Sequence, residues 1–287
     1  LASALSTKYD SRESVNLVRI LVEEVTGKPY KWLLMNPMTA FDDHEFQRWS
    51  PLAARLLQGE PVQYVIGKAA FFGLSLLVNP DVLIPRPETE ELVAWVLERL
   101  RGNLAPAVVD IGTGSGCIAL AVAHSLPDAL VVGVDLSEAA IQIAAESART
   151  NGISCEFRCL DILAAGIYEF EGADLIVSNP PYIPESEWRS LEENVRGYEP
   201  SLALKVPDSD PLRFYHKVSE RSRHWLKGEG WLFFEIHEQF GSEVRQLLEG
   251  LGYAAIEIRK DMNDRDRMVC AQWPGRVAAP CVAYPRG

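Results

Sequence analysis

From Thr89 to Gln272 the chain alternates strand-like apolar runs with helix-like amphipathic stretches, a rhythm that suits a layered α/β sheet with helices on both faces. Strands are expected at 107–110, 130–135, 154–159, 173–178, 231–236, 254–259 and 267–272, with helices at 89–100, 117–125, 138–150, 210–226 and 239–250. Seven strands in this order predict a seven-stranded doubly wound sheet. The unit that carries it is expected to span 87–274.

The first 69 residues read differently. Apolar residues recur at helical spacing, first Val15, Val18, Ile20, Leu21 and Val22, then Phe41, Phe46, Trp49, Leu52, Ala53, Leu56 and Leu57. Gly27-Lys28-Pro29, Asn36-Pro37 and Gly59-Glu60-Pro61 punctuate them, which predicts a small helical domain over 1–69 with three to five helices. Between the two units, Ala70–Val78 and Val82–Ile84 read as two short strands turned by Asn79-Pro80-Asp81, a β-hairpin connector over 70–86. Gly275–Gly287, with Pro280 and Pro285 and no periodicity, reads as a loosely held tail.

Bulk properties narrow the function classes. At 287 residues and 47% hydrophobic content the chain can bury a large core. It has no run of about eighteen apolar residues. Leu1–Asp10 lacks the basic and apolar segments of a secretion signal, so the expected location is the cytoplasm. Its formal net charge of −12 opposes binding to a polyanion through phosphate neutralisation, so no direct nucleic-acid partner is expected. The five cysteines form no Cys-x-x-Cys pair and the five histidines no i, i+4 pair, and no metal is assigned.

Two motifs carry chemistry. The first is Asp110-Ile111-Gly112-Thr113-Gly114-Ser115-Gly116, between a predicted strand and a predicted helix. Glycine has no Cβ and permits positive φ, so such a turn lets a ligand approach the backbone closely. The next predicted strand ends in Asp135, where an acid accepts hydrogen bonds from ribose hydroxyls. The Gly-x-Gly-x-Gly spacing and the preceding acid favour a sulfonium nucleoside, S-adenosylmethionine, over a nicotinamide cofactor. Asp110 then either helps to hold the cationic methionine end or braces the loop. Asp161 binds the adenine amino group with Ile162 covering the ring, or it merely caps a turn.

The second motif, Asn179-Pro180-Pro181-Tyr182, follows the apolar run Ala173–Ser178. A turn at a strand's C-terminal end can hold a planar amide or amine. The Asn179 side-chain carbonyl and the Pro180 main-chain carbonyl can each accept a hydrogen bond from an NH₂ group, while Tyr182 packs against the acceptor plane. Methyl transfer to a poor nitrogen nucleophile then rests on alignment, which can contribute up to roughly 7–11 kcal/mol, without a dedicated strong base.

These residues resemble the bacterial peptide-chain release factor glutamine N5-methyltransferases, the PrmC or HemK family, over nearly the whole chain. The similar blocks are Gly59–Gly67, Leu83-Ile84-Pro85-Arg86-Pro87-Glu88-Thr89-Glu90, Asp110–Gly116, Asn179–Tyr182 and Tyr198–Leu204. The resemblance implies the class I S-adenosylmethionine-dependent methyltransferase fold and, as substrate, the glutamine of the Gly-Gly-Gln loop of class 1 release factors. It implies that Gly112–Gly116 and Asp135 bind the cofactor, that Asn179 touches cofactor and substrate, and that Pro180, Pro181 and Tyr182 shape the glutamine pocket. Arg86 and Glu90 belong either to the domain junction or to a salt bridge at a helix start, and neither is assigned a catalytic role. Lys205–Pro211 and His237 depart from the family's pattern, and His237 reads as a loop residue rather than a base. The chain is expected to act as a monomer.

Three other readings stay open. A ribosomal-protein glutamine methyltransferase would use the same turn, although the Arg-Pro-Glu-Thr-Glu segment differs there. An adenine-N6 methyltransferase of nucleic acid would also present a planar NH₂, but it must grip a phosphate backbone. A binding protein that only retains the fold would lack turnover.

Overall fold

The computed structural model describes residues 1–36, 41–164, 170 and 172–275. Pro37 and the tail beyond Gly275, including Pro280 and Pro285, lie outside the described residues.

The chain opens with five helices, α1 (Ala2–Leu5), α2 (Ser11–Thr26), α3 (Tyr30–Met35), α4 (Asp43–Gln58) and α5 (Val62–Ile66). The Asp10 carboxylate caps α2 by accepting from the main-chain N–H groups of Arg12 and Glu13, both at 2.8 Å. Asp42 and Glu45 form a reciprocal capping box on α4. Gly27 and Gly59 end these two helices in the left-handed conformation, where two of the predicted turn signals stand. Leu21, Val25, Ala53, Leu56, Val62 and Val65 bury their side chains in a core of their own.

A hairpin follows, but not the predicted one. Its strands are β1 (Lys68–Phe71) and β2 (Leu74–Leu77), paired antiparallel with Phe71 opposite Leu74. The turn is therefore Phe72-Gly73, with φ of +48° and +81°. A two-residue hairpin turn of the primed type needs positive φ at such positions, and glycine supplies it at no steric cost. Phe72, hidden in an apolar run, concealed the turn. The Phe72 N–H donates to Glu90 Oε1 at 2.8 Å, which holds the strained residue in place. Residues 79–84 form no strand.

The remainder is built around a seven-stranded sheet. In chain order it comprises α6 (Pro87–Arg99), β3 (Ala107–Ile111), α7 (Cys117–Ser125), β4 (Leu130–Asp135), α8 (Glu138–Asn151), β5 (Glu156–Cys159), β6 (Ala173–Ser178), β7 (Ile183–Pro184), α9 (Glu193–Tyr198), β8 (Lys205–Val206), α10 (Arg213–Trp225), β9 (Leu226–Glu235), α11 (Gly241–Gly250), β10 (Ala254–Lys260) and β11 (Asp266–Gln272). The spatial order is β10-β11-β9-β6-β3-β4-β5. Pairs β9-β6, β6-β3, β3-β4 and β4-β5 are parallel, while β11 is antiparallel to both neighbours.

Alternation along the central strands feeds two cores. Val108, Leu175, Val177 and Phe233 pack with α6 and α7, whereas Val109, Ile176, Leu232 and Phe234 pack with α10 and α11. β9 begins five residues before its predicted start at 231 because Lys227-Gly228-Glu229-Gly230 does not break the strand. Glu229 adopts φ of +66° and its N–H still donates to the Trp273 carbonyl at 2.7 Å, so the glycine-flanked segment is a bulge, not a loop.

Gly133, in the middle of β4, has no room for a side chain. A Cβ there would lie 2.7 Å from the Phe157 ring and 2.8 Å from Thr113 Oγ1. Gly133→Ala is expected to destabilise the protein by about 1–3 kcal/mol, the range for overpacking a dense interior, as measured by urea unfolding. An unchanged midpoint would show that Phe157 and Thr113 move aside freely.

Candidate active site

The glycine-rich loop leaves the end of β3 and the Asn-Pro-Pro-Tyr turn leaves the end of β6. These strands are hydrogen-bonded neighbours, with Ile111 opposite Ser178. The Ser178 hydroxyl donates to the Ile111 carbonyl at 2.6 Å. A Cβ on Gly112 would sit 4.0 Å from the Asn179 main-chain oxygen. Sequence position 112 and sequence position 179 thus meet at a point where β3 is flanked by β4 on one side and β6 on the other. That is the crevice in which open α/β sheets bind ligands.

Within the loop, Gly112, Gly114 and Gly116 all have positive φ, at +73°, +53° and +80°. Gly116 also abuts α8, where a Cβ would approach that of Ala144 to 2.9 Å. The Gly112 and Thr113 N–H groups donate to the Val134 carbonyl at 2.8 and 2.9 Å, which ties the loop to β4. Ser115 is buried in the turn.

Asp110 lies beneath, fully buried. Its Oδ2 accepts from Thr113 Oγ1 at 2.6 Å and from the Ala119 N–H at 3.2 Å, so it braces loop and helix together. Oδ1 has no hydrogen-bond partner among the described residues. Burial pushes the carboxyl up to about 7, against the lowering effect of the Thr113 and Ala119 hydrogen bonds. Asp135 sits at the mouth. Its Oδ2 accepts from the Gly114 N–H and its Oδ1 from the Ser137 N–H, both at 2.9 Å, leaving each oxygen a lone pair for a further donor. Asp161 Oδ1 accepts from the Leu163 N–H at 2.8 Å in a local turn, and Ile162 packs partly into the core beside α10 and α11.

Across from the loop is a cavity of about 310 Å³ lined by Asn179, Pro180 and Tyr182 together with Leu83, Arg86, Leu191, Glu192, Val195, Leu204 and Glu235. Pro181 is half-buried and forms no part of its wall. The cavity has a polar floor. Glu235 Oε2 accepts from Thr89 Oγ1 at 2.6 Å, Glu235 Oε1 accepts from the Tyr182 hydroxyl at 3.0 Å, and Asn179 Nδ2 donates to Thr89 Oγ1 at 3.3 Å. Burial raises Glu235 above the usual carboxylate range, opposed by the hydrogen bonds from Thr89 and Tyr182 and by the charge of Arg267. Burial and the Glu235 charge likewise hold the Tyr182 phenol well above its ordinary value, so it stays a donor.

Arg86 and Glu90 serve the frame. Arg86 pairs at 2.5 Å with the buried Glu199, whose other oxygen accepts from the Ile84 N–H at 3.2 Å. His237 stands behind Tyr182, ring edge to face at 6.1 Å, accepting from the Gln239 N–H on Nδ1 at 3.2 Å and facing Glu187 through Nε2 at 3.2 Å. Lys205 belongs to β8, which pairs with β7, and its ammonium lies over the Trp188 ring at 3.8 Å.

Thr89 and Glu235 escaped the sequence reading as site residues. For Glu235 a signal existed: Leu232-Phe233-Phe234-Glu235 ends an apolar strand on an acid, as Val108-Val109-Asp110 and Val131-Val132-Gly133-Val134-Asp135 do. Thr89 lay in the Arg-Pro-Glu-Thr-Glu segment that carries the resemblance, but nothing set it apart there, since a threonine in a helix's first turn is ordinary. The wall from Leu191 to Leu204 comes from short irregular elements with no periodicity to read.

Residues 1–67 match the PrmC N-terminal domain and residues 91–192 the Methyltransferase small domain. The chain is 37% identical to the release factor glutamine methyltransferase of Flavobacterium psychrophilum over 93% of its own length and 94% of that protein. It is 42% identical to the release factor glutamine methyltransferase of Bacteroides thetaiotaomicron over 76% of its length and 77% of that protein. A crystal structure of a methyltransferase from Pyrococcus furiosus shares the fold, with a TM-score of 0.54 at 18% identity, covering 79% of this chain and all of that one (100%). By these likenesses the chain belongs to the release factor glutamine methyltransferase family.

Proposed function

We propose that this protein transfers a methyl group from S-adenosylmethionine to the side-chain amide nitrogen of the glutamine in the Gly-Gly-Gln loop of class 1 peptide-chain release factors. The observation that carries the reading is the placement of the glycine loop and Asn179 at adjacent strand ends, with a cavity lined by Asn179, Pro180, Tyr182 and Glu235.

The site fits the cofactor. Three left-handed glycines leave the backbone bare, Asp135 keeps lone pairs for two hydroxyls, and the buried Asp110 carboxyl has its Oδ1 unpaired, so that a cationic ligand above the loop would favour its ionised form. Bound there, S-adenosylmethionine supplies a methyl group made electrophilic by its sulfonium. Asn179 and the Pro180 carbonyl accept the two amide hydrogens of the glutamine, fix its rotation and draw its nitrogen lone pair out of conjugation. Tyr182 closes one side of the plane. The new carbon–nitrogen bond would form as the sulfur–methyl bond breaks, leaving S-adenosylhomocysteine, and the amide proton would then leave to solvent, so no strong base is called for. Asp161 and Ile162 flank the adenine end in this reading.

Release factors as the protein substrate accord with the family, and the net charge of −12 supports a protein rather than a nucleic acid as partner. No helix among the described residues is long and apolar enough to cross a membrane. A monomer acting in the cytoplasm is the simplest arrangement for this substrate.

The deciding experiment is mass spectrometry of an unmethylated release factor after incubation with the protein and S-adenosylmethionine, beside a release factor carrying Gln→Ala in its loop. One methyl group on the Gly-Gly-Gln peptide, absent from the control, is the expected result. No gain while the cofactor binds would turn the reading toward ribosomal-protein or nucleic-acid acceptors.

Asn179→Ala is expected to lower kcat on the order of a hundredfold or more with little change in melting temperature, since it removes the aligning acceptor from a turn and not from the core. Full activity in this variant would take Asn179 out of the mechanism. Asp110 generates a pH effect. Its carboxyl holds a proton in the fold between its ordinary 3.8 and about 7, where the unfolded chain has already released it. Stability of the ligand-free protein therefore falls as pH rises through that window. Asp110→Asn is expected to shrink this fall, read as melting temperature against pH. Parallel curves for the two proteins would show that Asp110 is ionised throughout.

A further inference from the structure

Asn179 can present either end of its amide to the acceptor, and only one is useful. An acceptor NH₂ group brings two donors, so the Asn179 oxygen must face the cavity and its nitrogen must face away. The choice has to be enforced by whatever lies behind the side chain.

Behind it lies Thr89, 1% exposed, near the start of α6. A threonine hydroxyl has one proton to give. At 2.6 Å from Glu235 Oε2 and 3.3 Å from Asn179, that proton is committed to the carboxylate. The Thr89 oxygen is then left only with lone pairs toward Asn179. Had the amide been turned over, the Asn179 oxygen and the Glu235 carboxylate would compete for the one hydroxyl proton, and one of them would lose its donor. Glu235 keeps the same polarity on its other oxygen, which takes the Tyr182 hydroxyl proton at 3.0 Å. This polarity is that of the ionised carboxylate, in which both oxygens accept.

We propose that Glu235 and Thr89 are positioning residues that set the polarity of the acceptor site: the carboxylate orients the Thr89 hydroxyl, the hydroxyl holds the Asn179 nitrogen, and the Asn179 oxygen is thereby turned toward the amide to be methylated. The same carboxylate anchors Tyr182, so one buried acid orients both side chains that contact the acceptor. Neither Thr89 nor Glu235 takes part in bond making. The relay rests on the acceptor reading of the Asn-Pro-Pro-Tyr turn given above.

Thr89→Val and Thr89→Ser separate this role from packing. Valine keeps the shape of threonine and loses the hydroxyl, while serine keeps the hydroxyl and loses the methyl group. The relay predicts that Thr89→Val lowers kcat for release-factor methylation roughly tenfold or more, with the S-adenosylmethionine dissociation constant within about twofold of wild type, and that Thr89→Ser stays near wild type. A merely structural Thr89 predicts the reverse order, with serine the more damaged. Glu235→Gln, which brings an NH₂ donor to the network, is expected to lower kcat similarly, and Thr89→Val combined with Glu235→Gln to be no worse than the poorer single variant. Additive losses, or a Thr89→Val protein of wild-type rate, would overturn the relay. The valine and serine pair keeps the test decisive if Glu235→Gln fails to fold. Wild-type protein in the same assay separates the two ideas: its failure to methylate the glutamine removes the acceptor reading and the relay with it, whereas activity with equal valine and serine variants removes the relay alone.

Discussion

Parallel pairing of β3 with β4 on one edge and with β6 on the other is the constraint on which the site depends. The backbone direction of these three strands brings their C-terminal ends to one rim, and the connections must part to opposite sides at β3. The loop after β3, the acid closing β4 and the turn after β6 are consequently neighbours, although they stand at 112–116, 135 and 179 in the chain. β9 pairs parallel to β6 and adds Glu235 to the same rim. Four consecutive strands of the sheet thus bring the glycine loop, Asp135, the Asn-Pro-Pro-Tyr turn and Glu235 to one rim.

The rim also explains why two of its carboxyl groups are displaced from their ordinary behaviour. Asp110 and Glu235 lie below the mouth, where burial dominates and raises both. Each is stabilised by a threonine hydroxyl, Thr113 in one case and Thr89 in the other. The parallel is functional as well as geometric. A buried carboxyl that accepts hydrogen bonds immobilises the groups that donate them. One acid stiffens the glycine loop through Thr113 and Ala119, and the other stiffens the Asn-Pro-Pro-Tyr turn through Thr89 and Tyr182.

Legibility followed the range of the interaction that defines each feature. The central strands and their helices were readable because local periodicity decides them, and the glycine loop and Asn-Pro-Pro-Tyr turn because their residue types serve a backbone conformation at that spot. The hairpin was misplaced because Phe72 takes positive φ, a conformation unfavourable to its side chain, and is held there by Glu90, eighteen residues on. Glu229 hid the start of β9 in the same manner. Thr89 and Glu235, 146 residues apart, and Arg86 and Glu199, 113 apart, form contacts that no local pattern encodes. The acid that ends an apolar strand was the one available hint, and the reading applied it at Asp110 and Asp135 but not at Glu235.

The irregular stretch from Ile183 to Val206 joins the two halves of the molecule. Glu192 and Val195 line the acceptor cavity, while Tyr198, at the end of α9, donates through its hydroxyl to the Gln58 carbonyl at 3.3 Å, the last residue of α4. Glu199, next in the chain, holds Arg86 and the Ile84 N–H, which leads into α6 and Thr89. Tyr64, in α5, donates to the Val82 carbonyl at 2.6 Å from the same side. The cavity wall is therefore suspended between the helical N-terminal layer and the floor that orients Asn179.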